Sequence, residues 1–409
     1  MKAWKPPTRD WDKRSQNAIA QNALTNSKRP STFVEGIYPT HLTRGEGCHV
    51  WDVEGNKYVD FICGLGSNIL GYANSDVTEA VITQARLGST LSLSTNLEVC
   101  FAEKVQEIFP FVERMKILKT GSDACSASIR IARAATGRKR IVTEGYHGFH
   151  DEFVSILPPA LGVGGLFPLE SITPEISALD LAAIIVEPVM TDASYERIAR
   201  LKYLRSFCDR TGALLIFDEV ITGFRFQGLS VSNHYQIKPD LICLGKAMGN
   251  GMPVSIVGGP KAIMECGEYF VSSTFAGETL SLASGLKTMS LLQTKYNIDQ
   301  LWSEGRRFLE KFNSIWPEKL KIDGYPTRGV FTGDPMTKAL FWQEASKAGI
   351  LFGPSWFINF AHIGHLEAVL SACEAIFQRL KTGAVELQGK MPMSPFAQQV
   401  REQNESNRQ

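Results

Sequence analysis

The sequence of 409 residues has no strong excess of charge of either sign and no long hydrophobic run. Its 43 basic and 42 acidic residues give a formal net charge of +1, which provides no broad field for a nucleic acid or a membrane surface. The most apolar stretches, residues 181–186 and 212–217, fall far short of the roughly 20 residues that span a bilayer. The composition therefore favours a small-molecule ligand and predicts no nucleic-acid or membrane partner.

The cysteines are few and scattered: there are eight, and no two form a C-x-x-C pair. A zinc ribbon or a disulfide scaffold would require closer, regular spacing, so the pattern favours a reducing compartment. Residues 1–10 carry charges and prolines where a secretory signal would have an apolar core. We therefore predict a cytoplasmic protein.

Helical patterns alternate with short apolar segments between residues 75 and 285, which predicts an α/β fold with a mainly parallel mixed sheet flanked by helices. A ligand would then bind at the carboxyl ends of the strands. Residues 1–74 read as an N-terminal arm and a β-hairpin, which joins residues 286–409 in a smaller α+β domain with a flexible tail. The predicted strands are residues 116–118, 140–143, 182–186, 214–218, 241–244 and 255–258.

Lys246 follows a predicted strand and a glycine, and Asp218 ends another strand. A lysine amine can form an imine with an aldehyde, and an aspartate can keep a pyridinium nitrogen protonated. A Gly-Lys dipeptide alone is usually a solvated surface feature. The two residues together suggest pyridoxal 5′-phosphate (PLP) as the cofactor.

Gly121 and Ser122 lie between a predicted strand and a helix that Gly137 ends. The free N–H groups at such a helix start can bind a phosphate. An ordinary N-cap by Ser122 explains the same pattern, and both interpretations hold together.

Tyr146 and His147 follow the next predicted strand. The tyrosine ring could stack on a pyridine ring, although ordinary packing explains a single aromatic residue equally well. His147 and His150 could form a metal pair, but no third ligand with suitable spacing is present, so we predict no metal.

Over about residues 30–380, these motifs resemble the class III branch of the fold-type I PLP enzymes, and within it the glutamate-1-semialdehyde aminomutase-like group. The spacing of Asp218 and Lys246 matches that of the family's pyridine-binding aspartate and its lysine. The resemblance implies that Tyr146 and Val220 cover opposite ring faces, and that Thr274 reaches the phosphate bound by a neighbouring subunit. It therefore implies a homodimer with shared active sites. It assigns cofactor binding to Gly121, Ser122, Asp123, Tyr146, His147, Asp218, Val220, Lys246 and Thr274, with Lys246, Asp218 and Tyr146 catalytic.

The chain departs from this pattern at residues that would contact the substrate. Met190 occupies the position where many class III aminotransferases have a glutamine. No arginine lies between Arg328 and Arg379, where those enzymes bind a carboxylate with a bidentate fork. Residues 349–362 instead resemble the aminomutase-like group. The predicted substrate residues are Arg29, Glu187, Asp192 and Glu278, of which the carboxylate of Glu278 would favour an amine or a hydroxyl-rich substrate.

The resemblance implies amino-group transfer between a small amine donor and a carbonyl acceptor. Transfer between two molecules would make the protein an aminotransferase, and transfer within one retained molecule would make it an aminomutase. A relative that binds PLP without catalysis is a third interpretation, which the retention of Lys246 and Asp218 disfavours. An ATPase would need a G-x-x-x-x-G-K-[ST] loop, which the sequence lacks.

Overall fold

The computed structural model describes residues 4–8, 10–154, 166–169 and 180–394. The chain divides into two compact units, Met1–Leu65 with Leu70–Asn74 and Gln300–Gln409, and Gly66–Ile69 with Ser75–Asp299. The boundary expected at residues 285 and 286 falls inside the continuous helix Thr279–Thr294. Because that helix packs against two other helices of the second unit, the division lies after Asp299 instead.

The elements of the described residues are numbered here in chain order. The strands are β1 (Leu42–Glu46), β2 (His49–Asp52), β3 (Lys57–Asp60), β4 (Arg114–Leu118), β5 (Arg140–Glu144), β6 (Leu166–Pro168), β7 (Leu181–Val186), β8 (Leu214–Asp218), β9 (Leu241–Leu244), β10 (Ser255–Gly259), β11 (Leu320–Tyr325), β12 (Arg328–Gly333), β13 (Ile350–Leu351) and β14 (Ser355–Phe357). The helices are α1 (Asp10–Ala18), α2 (Cys63–Gly66), α3 (Ser75–Ala85), α4 (Asn96–Ile108), α5 (Gly121–Thr136), α6 (Asp151–Val154), α7 (Tyr195–Thr211), α8 (Val231–Tyr235), α9 (Lys261–Met264), α10 (Thr279–Thr294), α11 (Ile298–Ile315), α12 (Pro335–Lys347) and α13 (Leu366–Lys381).

The second unit is built on a seven-stranded sheet in the order β4-β10-β9-β8-β7-β5-β6. Strand β10 runs antiparallel to β9 and β4, and the strands from β9 to β6 pair in parallel. The predicted α/β class and all six predicted strands are therefore confirmed. Strand β6 was missed, because a short edge strand that ends in proline gives little periodic signal.

The core of this unit lies where α5 packs on the middle of the sheet. Strand β7, with the sequence LAAIIV, is buried at every position, as expected for a strand covered on both faces. Helix α5 contacts β7, β8, β9 and β10. Burial on both faces fixes the strand positions, so the loops at their carboxyl ends are held in place.

The first unit contains the predicted β-hairpin, since β2 and β3 pair antiparallel, with Val50 opposite Tyr58. Strand β13 adds to β3 in parallel, and β11, β12 and β14 form a separate three-stranded sheet. Helix α13 has basic residues in its last turn, Arg379 and Lys381, where they complement the helix dipole. Within the described residues, every helix is too short or too polar to cross a membrane.

His362 in the first unit predicts a pH dependence of stability. Its fully buried ring stacks on Phe61 with centroids 4.5 Å apart, and burial lowers the pKa of His362 to about 3. Since this lies below the unfolded value of about 6.5, stabilisation by the neutral ring is complete above pH 6.5 and is lost as the pH falls toward 3. We expect a loss of about 3 kcal/mol at pH 4.5. Urea unfolding at several pH values measures this loss. If the free energy of unfolding of His362→Gln fell with pH as steeply as that of the parent protein, the prediction would be contradicted.

Candidate active site

Three predicted residues gather at the edge of the sheet where the parallel strands end. Asp218 is the last residue of β8, Glu187 directly follows β7, and Lys246 follows β9 after one glycine. Strands β7, β8 and β9 are neighbours in the sheet, so their carboxyl ends lie side by side. This is the place where open α/β sheets bind ligands.

Lys246 has an unusual backbone conformation, with a φ of +42°. A non-glycine residue rarely adopts the left-handed region, and such strain persists only where the surrounding structure enforces it. Here Lys246 opens a short 3₁₀ turn, in which the N–H of Met248 bonds to the carbonyl of Gly245 at 3.0 Å. The turn fixes the start of the half-buried lysine side chain at the sheet edge.

The carboxylate of Asp218 is buried and accepts several hydrogen bonds. Its Oδ2 lies 2.8 Å from Nδ1 of His147 and 3.3 Å from the Sγ of Cys125, and its Oδ1 accepts the Val220 N–H at 3.1 Å. Asp218 is 5% exposed and His147 is 2% exposed. Because a buried polar group is costly without such partners, these contacts hold the carboxylate of Asp218 in a fixed orientation.

The side chains of Cys125, His147 and Asp218 are also of the types that bind metals, and their ligand atoms lie within 4.8 Å of one another. The two direct contacts to Asp218 already use the donors of His147 and Cys125 without an intervening ion. The absence of a metal stays a prediction.

The predicted phosphate site is the start of α5. Thr120, not Ser122, is the N-cap: its side chain accepts the Asp123 N–H, and the Asp123 carboxylate accepts the Thr120 N–H. The first turn of a helix leaves N–H groups without intrahelical partners, and the cap uses only that of Asp123. Those of Gly121 and Ser122 are therefore suited to an anion, whereas Asp123 has a structural role in the cap.

Two glycines allow the loops around this helix start to approach each other. A Cβ on Gly148, where φ is +111°, would lie 2.3 Å from the Ser122 hydroxyl. A Cβ on Gly121 would lie 2.7 Å from Cγ1 of Val220. The close approach places Val220 beside the start of α5, Gly121 and Ser122, which is called the phosphate loop below. It also brings the segment after Tyr146 against Ser122.

Glu187 positions the backbone of the Tyr146 loop. Its Oε1 accepts the Tyr146 N–H at 2.8 Å, and Gly145, with φ of +117°, leaves no room for a Cβ beside it. The ring of Tyr146 is 47% exposed, and burial together with the nearby Cys125 raises its pKa. The carboxylate of Glu187, predicted to bind substrate, thus already accepts a backbone hydrogen bond from the loop that follows β5.

Arg197 is a buried residue of this site that the sequence interpretation missed. It bonds to the Glu144 carboxylate at 2.7 Å and to the carbonyls of Glu187 and Pro188 at 2.5 and 2.8 Å. The arginine therefore links the last residue of β5 to the segment that follows β7. Its one sequence signal is a position in the first turn of α7, where a basic residue is unfavourable without such partners.

Asp192 and Glu278, two of the predicted substrate residues, have local structural partners. Asp192 is exposed and accepts bonds from the N–H and hydroxyl of Ser194. Glu278 caps α10 and pairs with Lys119 at 2.9 Å. Partial burial opposes its ionisation, but the bonds from Ser281 and Lys119 outweigh burial and lower the pKa of Glu278. A substrate amine would have to compete with these contacts.

Arg29 and Thr274 belong to different units of the chain. Arg29 belongs to the first unit, where it is buried and bonds to Gln21. Thr274 is exposed in the second unit, next to Phe275, which is 57% exposed. Their predicted contacts with substrate and with a neighbouring subunit stay predictions.

Comparison with known proteins relates most of this chain to one family. Residues 34–160 and 165–362 match the family described as aminotransferase class III. A glutamate-1-semialdehyde 2,1-aminomutase of Syntrophobacter fumaroxidans is 31% identical over 410 residues, covering 87% of this chain and 94% of that protein. A 3-aminobutyryl-CoA aminotransferase of Cloacimonas acidaminovorans is 33% identical over 349 residues, covering 81% of this chain and 82% of that protein.

The fold is similar to that of the FumI protein of Sphingopyxis sp. MTA144, solved in its PLP internal aldimine form. The TM-score is 0.84 at 24% identity, and the match covers 94% of this chain and 98% of the other. At this identity the likeness concerns the fold alone. The match of sequence over most of the chain carries the assignment: the chain belongs to the class III aminotransferase family.

Proposed function

We propose that this protein uses PLP to transfer an amino group between a small amine and a small carbonyl compound. The observation that carries the proposal is the placement of Lys246 and the buried Asp218 at the carboxyl ends of adjacent strands, β9 and β8. Membership of the class III aminotransferases and the PLP in the solved FumI structure support it.

The residues at the sheet edge fit the chemical groups of PLP. Asp218 offers a buried carboxylate to a ring nitrogen, and the N–H groups of Gly121 and Ser122 suit the phosphate. Val220 lies against the phosphate loop, where an apolar side chain can contact one ring face. Lys246 supplies the primary amine that binds an aldehyde.

Each side chain then has a defined task. Bound PLP supplies a ring that accepts the electrons of a substrate carbanion. Asp218 holds a proton at the ring nitrogen, while His147 fixes the orientation of the carboxylate. Lys246 would hold the cofactor through Nζ, and the same Nζ, when free, would remove and return a proton at the substrate carbon. Tyr146 would cover one face of the cofactor ring and limit the access of water to it.

A panel of amines and carbonyl acceptors tests the proposal. Purified protein with PLP should convert at least one donor to its carbonyl product and one acceptor to its amine, in equal amounts. Omission of either substrate should stop turnover. Protein that retains no PLP after dialysis and converts no pair in a broad panel would contradict the proposal.

An aminomutase is the second candidate, because the Syntrophobacter fumaroxidans relative carries that name. The two reactions differ in the fate of the nitrogen atom. A mixture of substrate labelled with ¹⁵N and substrate labelled with ¹³C separates them. Products that carry both labels indicate exchange between molecules, and products that keep the labels apart indicate an intramolecular transfer.

We also propose a homodimer in which Thr274 contacts the phosphate bound by the partner subunit. Thr274 is exposed and is followed by Phe275, while Phe270 is 79% exposed. Exposed aromatic residues close together in the chain are typical of a protein interface. These features support an interface formed by a second copy of the chain.

Thr274→Ala should weaken PLP binding through the loss of one hydrogen bond to an anion, by about tenfold. Dialysis followed by absorbance of the retained cofactor measures the change, and ultracentrifugation checks that the dimer persists. Thr294→Ala, at an exposed position of α10, is the control. An affinity unchanged in Thr274→Ala would refute the predicted contact.

The proposed location is the cytoplasm. All eight cysteines lie in the described residues, where none of them forms a disulfide, and most are buried. Cysteines that form no disulfide are compatible with a reducing compartment.

A further inference from the structure

The thiol of Cys125 is a partner of Asp218 that the family resemblance does not assign. Cys125 lies on α5, is 1% exposed and points its Sγ at Oδ2 of Asp218, 3.3 Å away. Burial raises the pKa of Cys125 well above its ordinary value, with further contributions from the nearby Cys243 and Asp218. The group therefore stays a thiol and donates its proton to the carboxylate.

A count of acceptor positions indicates what this bond does. A carboxylate offers about four acceptor positions, two on each oxygen. His147 and Cys125 both lie within hydrogen-bonding reach of Oδ2, and the Val220 N–H occupies one position on Oδ1. The remaining position is on Oδ1.

We propose that Cys125 is a positioning residue for the cofactor: together with His147 it holds Oδ2 of Asp218, so that Oδ1 is presented to the ring nitrogen of PLP. This inference rests on the proposed PLP-dependent function and goes beyond it in assigning separate tasks to the two carboxylate oxygens. The thiol acts only through Asp218. It touches neither substrate nor reacting atoms, so it is not a catalytic residue.

The location of the thiol explains why it can fix the carboxylate. Helix α5 packs directly on β8 and β9, so Cys125 is held by the same contacts that build the core. The helix also begins with the phosphate loop at Gly121 and Ser122. A single rigid element thus positions the predicted phosphate site and one donor to Asp218.

Cofactor affinity of the apoprotein, rather than turnover, tests the proposal. Cys125→Ser keeps a donor and should bind PLP within twofold of the parent protein. Cys125→Val fills the site without a donor and should bind PLP about fivefold more weakly, as expected for one lost hydrogen bond. Cys208→Ala, which removes a buried thiol from α7, should leave the affinity unchanged.

A double-mutant cycle shows whether the thiol acts through Asp218. In an Asp218→Asn background, Cys125→Val should weaken PLP binding by less than about twofold, because the neutral amide gains less from the thiol. An equal loss in both backgrounds, or a Cys125→Val protein that binds like the parent, would overturn the role. Cys125→Ala provides the same comparison if the valine variant does not fold. Failure of the parent protein itself to bind PLP would refute the proposed function instead.

Discussion

Lys246→Ala should abolish turnover and the covalent attachment of PLP. The variant loses the only group at the strand ends that we assign to proton transfer at the substrate carbon, which alone lowers a rate by about 10²–10⁴-fold. Loss of the anchoring amine adds to this, so we expect a total decrease on the order of 10⁴-fold or more. Steady-state assays with the best donor and acceptor measure it.

The matched control for this variant is Lys261→Ala, on the exposed face of α9 in the same unit. It should retain turnover within about twofold, since a surface ion pair such as its contact with Glu265 contributes little. Addition of a small primary amine should partly restore Lys246→Ala, because the amine can replace Nζ as the base. Turnover near the parent level in Lys246→Ala, without added amine, would remove this lysine from the mechanism.

Asp218→Asn should bind PLP weakly and lose turnover by on the order of a thousandfold. The amide keeps the size of the side chain but carries no charge to hold a proton at the ring nitrogen. The amide of the variant also faces the donors of His147 and Cys125. Removing one partner of a buried ion pair typically lowers the free energy of unfolding by about 3–5 kcal/mol. Titration of the apoprotein with PLP gives the affinity, and the assay above gives the rate.

Asp240→Asn separates this effect from a general loss of stability. Asp240 lies before β9 in the same sheet and accepts bonds from Arg205 and from the Leu215 N–H, each at 2.7 Å. Its variant should unfold at lower urea concentration yet bind PLP as the parent does. If Asp218→Asn matched Asp240→Asn in both measurements, Asp218 would be a structural residue only.

The fold of the second unit could be predicted from the sequence because its central strands are rich in apolar residues. Strands β7, β8 and β9 are buried on both faces, so each appears in the sequence as one short, continuous apolar segment. Their carboxyl ends carry Asp218 and Lys246, and a parallel sheet brings such ends together. The boundary expected after residue 285 falls inside α10, a continuous helix that packs on α3, on α4 and on the turn that begins at Lys246.

The contacts made by polar side chains could not be predicted in the same way. Arg197 and Cys125 look like ordinary helix residues, and only the folded structure brings them to Glu144 and Asp218. Glu278 appeared available to a substrate because its pairing with Lys119 links positions far apart in the chain. Long-range polar contacts of this kind have no local sequence period.

The most direct measurement of the central claim is the location of the bond between PLP and the protein. Borohydride reduction of the protein with PLP, followed by proteolysis and peptide mass spectrometry, identifies the lysine that carries the cofactor. We predict that the added mass lies on Lys246, with no modification of the same peptide in Lys246→Ala. Stable attachment to a different lysine, or no attachment at all, would contradict the account.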